Sequence, residues 1–304
     1  MIGIGRLNIR SKSLLLSGLF VASLMALSLR PVEAYGESKV AEKEWAAAIN
    51  LAGRQRMLSQ KMAKEFLLVA LKVDDAENRK SCRATATMFS ESLERLLRGD
   101  SELGIPAPPS KEIEQQLQKI KGLWDTFGAQ LSAGLGETAI SPEALSAVAT
   151  LNAPLLLEMN KAVSMYDSES QKAGVKGLGT VVNIAGRQRM LTQKLSKQIL
   201  LVKLGIDVDA NRKAIVEGKT LFQTSHLGLV GGNAELGLPG TSTPLTVAQM
   251  KKVQGLWSEF LPLVDQAISN SDLSQEAIQK VAQLNVKILA EMNRAVSMFE
   301  AEAK

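Results

Sequence analysis

The chain has 304 residues, 45% hydrophobic and only 4% aromatic, with a formal net charge of +5. That length has room for two ordinary domains, and a composition rich in Leu, Ala, Met, Lys and Glu favours helices over strands. Arg6, Arg10, Lys12 and Arg30 against Glu33 put +3 of the charge in residues 1–34; the remaining +2 is too little for a nucleic-acid-binding surface.

Residues 1–34 read as an export signal. Arg6, Arg10 and Lys12 form the charged start, "SLLLSGLFVASLMALSL" (Ser13–Leu29) the apolar stretch, and "VEA" ending at Ala34 a small-residue cleavage site. The 17-residue run lies at the short limit for a spanning helix, so the segment is either cleaved or kept as an N-terminal anchor. Both outcomes place the remainder outside the cytoplasm, in the periplasm. No second apolar stretch approaches about 18 residues, so nothing is predicted to return.

Beyond it the sequence repeats at an offset of 133. "INLAGRQRMLSQKMAK" (49–64) and "VNIAGRQRMLTQKLSK" (182–197) agree at 11 of 16 positions. The "ELG" at Glu102 and Glu235 and the "GLW" ending at Trp124 and Trp257 keep the same offset. So do "LN" at Leu151 and Leu284, and "EMNKAVSMY" from Glu158 with "EMNRAVSMF" from Glu291. A repeat of about 130 residues is too long for a solenoid unit, so each copy is predicted to be a domain with its own core.

Each copy divides into four helical segments. In the first copy these run from about Glu37 to Lys72, Ala76 to Gly99, Ser110 to Leu131, and Ser141 to Lys172. "VDDAEN" supplies an Asp to cap the second segment, and "GDSELGIPAPPS" ends it, because its glycines and prolines forbid continuation. Ser110 is a predicted N-cap, as is Ser141, which is followed by a proline at the first helical position. Trp124 and Trp257 read as core fillers. The predicted fold is all-α: two tandem up-down-up-down four-helix bundles, residues 35–172 and 173–304, after the signal segment. Gly174, Gly177 and Gly179 would permit a bend between copies. However, the stretch before the first motif becomes helical well before Asn50, which favours a fourth helix running straight into the fifth, with the bundles end to end.

The chemistry-bearing inventory is thin. Cys82 is the only cysteine and His226 the only histidine, and the repeat counterpart of His226 is Leu93. A His/Cys metal site has too few ligands and no catalytic triad repeats, so neither metal, cofactor nor catalytic residue is predicted.

The arginines of the repeated motif are the exception. At 100° per residue, Leu51, Leu58, Met62, Phe66 and Val69 form the core stripe, with Arg54 and Lys61 at its edge. Arg56 lies about 160° away, on a face shared with Ala52, Gly53, Gln60 and Ala63. The second copy puts Ala185, Gly186, Arg189, Gln193 and Ser196 there. Glycine inside a helix costs about 1 kcal/mol relative to alanine, so its use at both Gly53 and Gly186 points to a close helix–helix contact. Arg56 and Arg189 then face each other within one chain, or each faces its mate in a homodimer. Guanidinium groups about 5 Å apart repel by roughly 3 kcal/mol at an effective dielectric near 20, and a small oxyanion between them reverses the sign. The competing reading is that the two arginines pair with acids or lie in solvent.

The two motif helices resemble the signature helix of PilJ/NarX-type extracytoplasmic sensor domains, four-helix bundles at the input end of type IV pilus chemotaxis transducers and nitrate/nitrite sensor kinases. The resemblance covers both copies. It implies that the arginine before Met and the backbone near the glycine bind nitrate or nitrite, at Arg56 and Gly53 and at Arg189 and Gly186. Asn50, Gln60, Asn183 and Gln193 are supporting residues. Arg54 and Arg187 are weaker candidates, as support or as partners of Glu158 and Glu291 in the fourth helices. Family members usually continue into membrane spans and cytoplasmic relays, and this chain stops at Lys304. The expectation is therefore an exported, non-enzymatic binding protein reporting to a membrane chemoreceptor or sensor kinase. The alternative is a helical docking module with no small ligand.

Overall fold

The structure is a computed structural model that describes residues 40–175, 178–269 and 272–302; the expected signal segment lies outside them. Among the described residues there are eight helices: α1 (Glu42–Ala70), α2 (Asp75–Arg98), α3 (Lys111–Gly136), α4 (Pro142–Lys172), α5 (Leu178–Lys203), α6 (Val208–Gly231), α7 (Pro244–Ser269) and α8 (Gln275–Glu302). No helix among them is long and apolar enough to cross a membrane. Helices α1–α4 pack around one another and α5–α8 do the same, so the fold is all-α, as the repeat predicts.

Local sequence explains most of the helix boundaries. Ser110 and Ser141 cap α3 and α4, their Oγ atoms accepting from the backbone N–H of Ile113 and Ala144 at 3.3 and 3.2 Å. The α1–α2 turn departs from expectation. Asp74 does not cap α2 with its side chain but sits in the left-handed region at φ 42°, and so does its counterpart Asp207. Asn78 and Asn211 hold these turns instead, their Nδ2 atoms donating to the carbonyls of Val73 and Ile206 at 2.8 and 2.9 Å. The third helix also runs past Leu131 to Gly136. Gly134 lies so close to Phe66 of α1 that a Cβ there would stand 2.7 Å from the ring, so "SAGLG" is drawn into the packed helix. Trp257 is buried against Phe222, with ring centroids 4.1 Å apart. Trp124 is half-buried, and its Nε1 donates to Ser90 Oγ at 3.0 Å.

The largest departure lies between the copies. The fourth helix does not continue into the fifth: α4 stops at Lys172 and the chain turns at Gly174, whose φ is +90°. The two four-helix units therefore lie side by side, with α1 against α5 as the most extensive helix pair in the chain. The two run parallel. Gly179 approaches Ile49, Arg56 reaches Asn183, and Lys64 reaches Asn285, which is itself bound to Thr192 and Ser196. Helix α1 is thus enclosed by α2, α4 and α5, and its buried residues run nearly all the way round it. The apolar core continues from one repeat into the other through this seam.

Candidate functional site

What fills the seam is polar. Arg56, Gln60, Lys64, Asn183, Arg189, Gln193 and Lys197 are all buried there, among small residues such as Ala52, Ser59, Ala185 and Ser196. Small side chains let the two backbones close up, and the long cationic ones fill the space that remains.

Arg56 is 2% exposed and Arg189 5%. Among the described residues, each hydrogen bond that these two groups donate ends on an asparagine. Arg56 Nη2 donates to Asn183 Oδ1 at 2.9 Å and to the Asn183 carbonyl at 3.3 Å, and Nη1 to Asn160 Oδ1 at 3.5 Å. Arg189 Nη2 donates to Asn50 Oδ1 at 2.6 Å, and Nη1 to Asn293 Oδ1 at 3.4 Å. The pattern is reciprocal: each arginine crosses to the other repeat's first helix and also reaches its own repeat's fourth helix. Both Nε atoms are buried with no hydrogen-bond acceptor.

The glycines form the wall behind the guanidinium groups. A Cβ at Gly53 would lie 3.2 Å from Arg56 Nη2; one at Gly186 would lie 3.3 Å from Arg189 Nη2 and 3.9 Å from Arg56 Nη2. The two Nη2 atoms are therefore no more than about 7 Å apart, worth about 2 kcal/mol of repulsion at an effective dielectric near 20. Burial, followed by the charges of Arg187 and Arg189 and partly offset by Asp167, pulls Arg56 down to about 9. Burial pulls Arg189 down to about 10, with Glu300 opposing and Arg54 adding to the shift. Both groups remain charged at neutral pH.

The predicted residues do not all converge. Arg56, Arg189, Gly53, Gly186, Asn50 and Asn183 meet at one place, within a single chain. Gln60 and Gln193 lie about one turn further along the seam, each with a buried Oε1 that finds no donor. Arg54 is exposed, with Nη2 3.6 Å from Met88 Sδ, and Arg187 is half-buried under the influence of Asp167. Neither takes up a fourth-helix glutamate, which corrects that expectation. Glu158 is held by Lys161, Lys119 and Gln116, and Glu291 by Arg294 and Gln249. Those acids have closer cations one turn along their own helix and, for Glu158, on α3.

Three further repeated pairs belong to the seam and were not singled out from sequence. Asn160 and Asn293 carry the arginines' outer nitrogens. Lys64 and Lys197 are buried with no ion pair among the described residues, their Nζ atoms donating across the seam to Asn285 Oδ1 at 2.9 Å and Asn152 Oδ1 at 2.7 Å. Those asparagines in turn donate to the carbonyls of Thr192 and Ser59. Burial, the largest influence, lowers Lys64 to about 8 and Lys197 to about 7. The signal was available: each of these is a polar residue kept at the offset of 133. Cys82 and His226 stay outside the site. Cys82 is buried in α2, and burial raises its thiol. His226 stacks on Phe222, and burial lowers it to about 4.

The described residues thus form a tandem all-α bundle with paired, buried cations at an interhelical seam. Comparison with known proteins narrows the class. The chain matches the PilJ family, described as the N-terminal region of type IV pili methyl-accepting chemotaxis transducers, over residues 41–150 and 173–284. It belongs to that family, one of chemoreceptor sensor domains and not of enzymes. Over 122 residues, 40% of this chain, it is 31% identical to the methyl-accepting chemotaxis protein McpN of Pseudomonas aeruginosa, and the match spans 22% of that receptor's length. Among solved structures it is similar to the ligand-binding domain of the P. aeruginosa nitrate receptor McpN. That match has 29% identity and a TM-score of 0.36, and covers 41% of this chain and 97% of the other.

Proposed function

We propose that this chain is an extracytoplasmic sensor module that binds a small oxyanion, nitrate or nitrite, between Arg56 and Arg189. The observation that carries the reading is the pair of buried guanidinium groups on opposite sides of one seam. Each is hydrogen-bonded to neutral amides and close enough to repel the other. A planar monoanion between them would accept paired N–H donors from both sides and turn the repulsion into attraction. The glycine walls favour a flat ion, and burial of the seam disfavours a divalent one, whose desolvation costs far more. Sequence identity of 31% to McpN, a nitrate receptor, supports the same ligand.

In this reading residues 35–172 and 173–304 are the two repeats, residues 1–34 the export signal, and the two first helices play the parts of two subunits. One chain then makes a complete site and needs no homodimer, and a membrane chemoreceptor or sensor kinase is the partner that reads it. Calorimetric titration with nitrate, nitrite, sulfate and phosphate, alongside solution mass, tests this. The expected result is one nitrate or nitrite per chain on a monomer. Absence of heat with all four ions would overturn the reading in favour of a docking module without a small ligand.

A further inference from the structure

An ion held by buried arginines needs a way in, and the two sides of the seam differ despite the sequence repeat. On one side a pocket of about 370 Å³ opens between α1, α2 and α8. Its polar lining is Asn50, Arg54, Lys61, Arg189, Asn293 and Ser297, so it reaches directly to one of the two seam arginines. Lys61 is neutralised by Glu65, with which it forms an ion pair. Arg54 is exposed, and among the described residues its guanidinium donates to the Met88 thioether at 3.6 Å, so its charge stands open at the mouth. Glu300, whose charge also reaches Arg189, is not among the lining residues. On the other side the repeat counterpart of Arg54 is Arg187, half-buried, with Asp167 acting on both it and Arg56. A carboxylate acts on the seam arginine from each side, Asp167 on Arg56 and its repeat counterpart Glu300 on Arg189; what differs is the motif's first arginine, exposed at Arg54 and half-buried at Arg187.

We infer that the anion is loaded through the α1/α2/α8 vestibule, with Arg54 as the residue that recruits it and passes it to Arg189. This rests on the oxyanion reading and adds a direction to it. A recruiting charge at a pocket mouth raises the association rate by concentrating the ion locally, and salt screens that effect.

The test separates route from site. Ser297→Cys, at the exposed vestibule rim, and Ser164→Cys, its exposed repeat counterpart, are each labelled with a bulky thiol reagent; native Cys82 is fully buried and stays unlabelled. Nitrate exchange is read from the line shapes of the Gly53 and Gly186 amide resonances. The expected result is that the label at 297 slows association and dissociation together, several-fold, with Kd unchanged, while the label at 164 changes neither. Arg54→Gln is expected to lower the association rate about tenfold at low salt and to flatten its salt dependence. Intact nitrate binding with exchange indifferent to the 297 label, or slowed equally by the 164 label, overturns the route and leaves the seam site standing. An unlabelled chain with no nitrate response overturns the oxyanion reading and the route with it.

Discussion

Replacing Arg56 by methionine separates a binding role from a structural one, because the two predict opposite balances. With the ion bound, the substitution removes one side of a charge-assisted clamp, worth about 1.5–3 kcal/mol, or about 10- to 150-fold in Kd. Without the ion, two effects oppose each other. The repulsion between Arg56 and Arg189, about 2 kcal/mol at their separation, is relieved. Against this, Asn183 Oδ1 loses its 2.9 Å donor, which costs about 1–3 kcal/mol in a buried place. The ligand-free stability should therefore change little while the response to nitrate falls by about half or more. Thermal melts read both. Nitrate at about 100 times Kd adds about 2.7 kcal/mol to the wild-type chain, or roughly 5–10 °C in Tm for a unit of this size. The Arg56→Met chain at the same concentration should gain only about 0.3–1.4 kcal/mol, half the wild-type increment or less. If it instead keeps the wild-type increment, the ion is not held by Arg56. If it melts more than about 10 °C lower without nitrate, the arginine is a structural keystone and the balance drawn here is wrong.

Other perturbations follow from the same seam. Gly53→Ala places a methyl 3.2 Å from Arg56 Nη2, and so should displace the guanidinium and weaken nitrate by about tenfold in a titration. The same change adds up to about 1 kcal/mol of helix propensity, so Tm without nitrate should hold or rise. Lys197 is lowered by burial to about 7, so between that value and its unfolded value near 10.5 the unfolded chain binds more protons than the folded one. Stability should accordingly rise as pH is raised from 7 to 9, Lys64 at about 8 contributing in the same direction, and Lys197→Met should flatten the slope and raise Tm at pH 7. A wild-type Tm that falls over that interval would refute the assignment. Asn152→Leu strips the acceptor from both Lys197 and Gln60 and should cost about 3 kcal/mol in denaturant unfolding, more than a surface Asn→Leu control.

The sequence by itself determined the class of fold, the internal repeat, and the face on which the important arginines lie. These are local properties. Helical periodicity separates Arg56 from the core stripe of Leu58, and an interior glycine, costly in any helix, announces a close neighbour whatever that neighbour is. The serine caps were legible for the same reason, since a cap bonds to a backbone only three residues away. The identity of the neighbour was not legible. Whether α4 ran on into α5 or turned back depended on a few residues around Gly174 that permit either course, and only the packing of α1 against α5 decided it. With that decided, the acceptors of Arg56 and Arg189 became asparagines 127 and 139 residues away, and two lysines joined the seam. Tertiary structure also made the two halves unequal, leaving Arg54 open to solvent and Arg187 half-buried, which nearly identical motifs do not foretell. Periodicity fixes the direction in which a side chain leaves its own helix, but what it meets there is set by the energy of whole faces coming together.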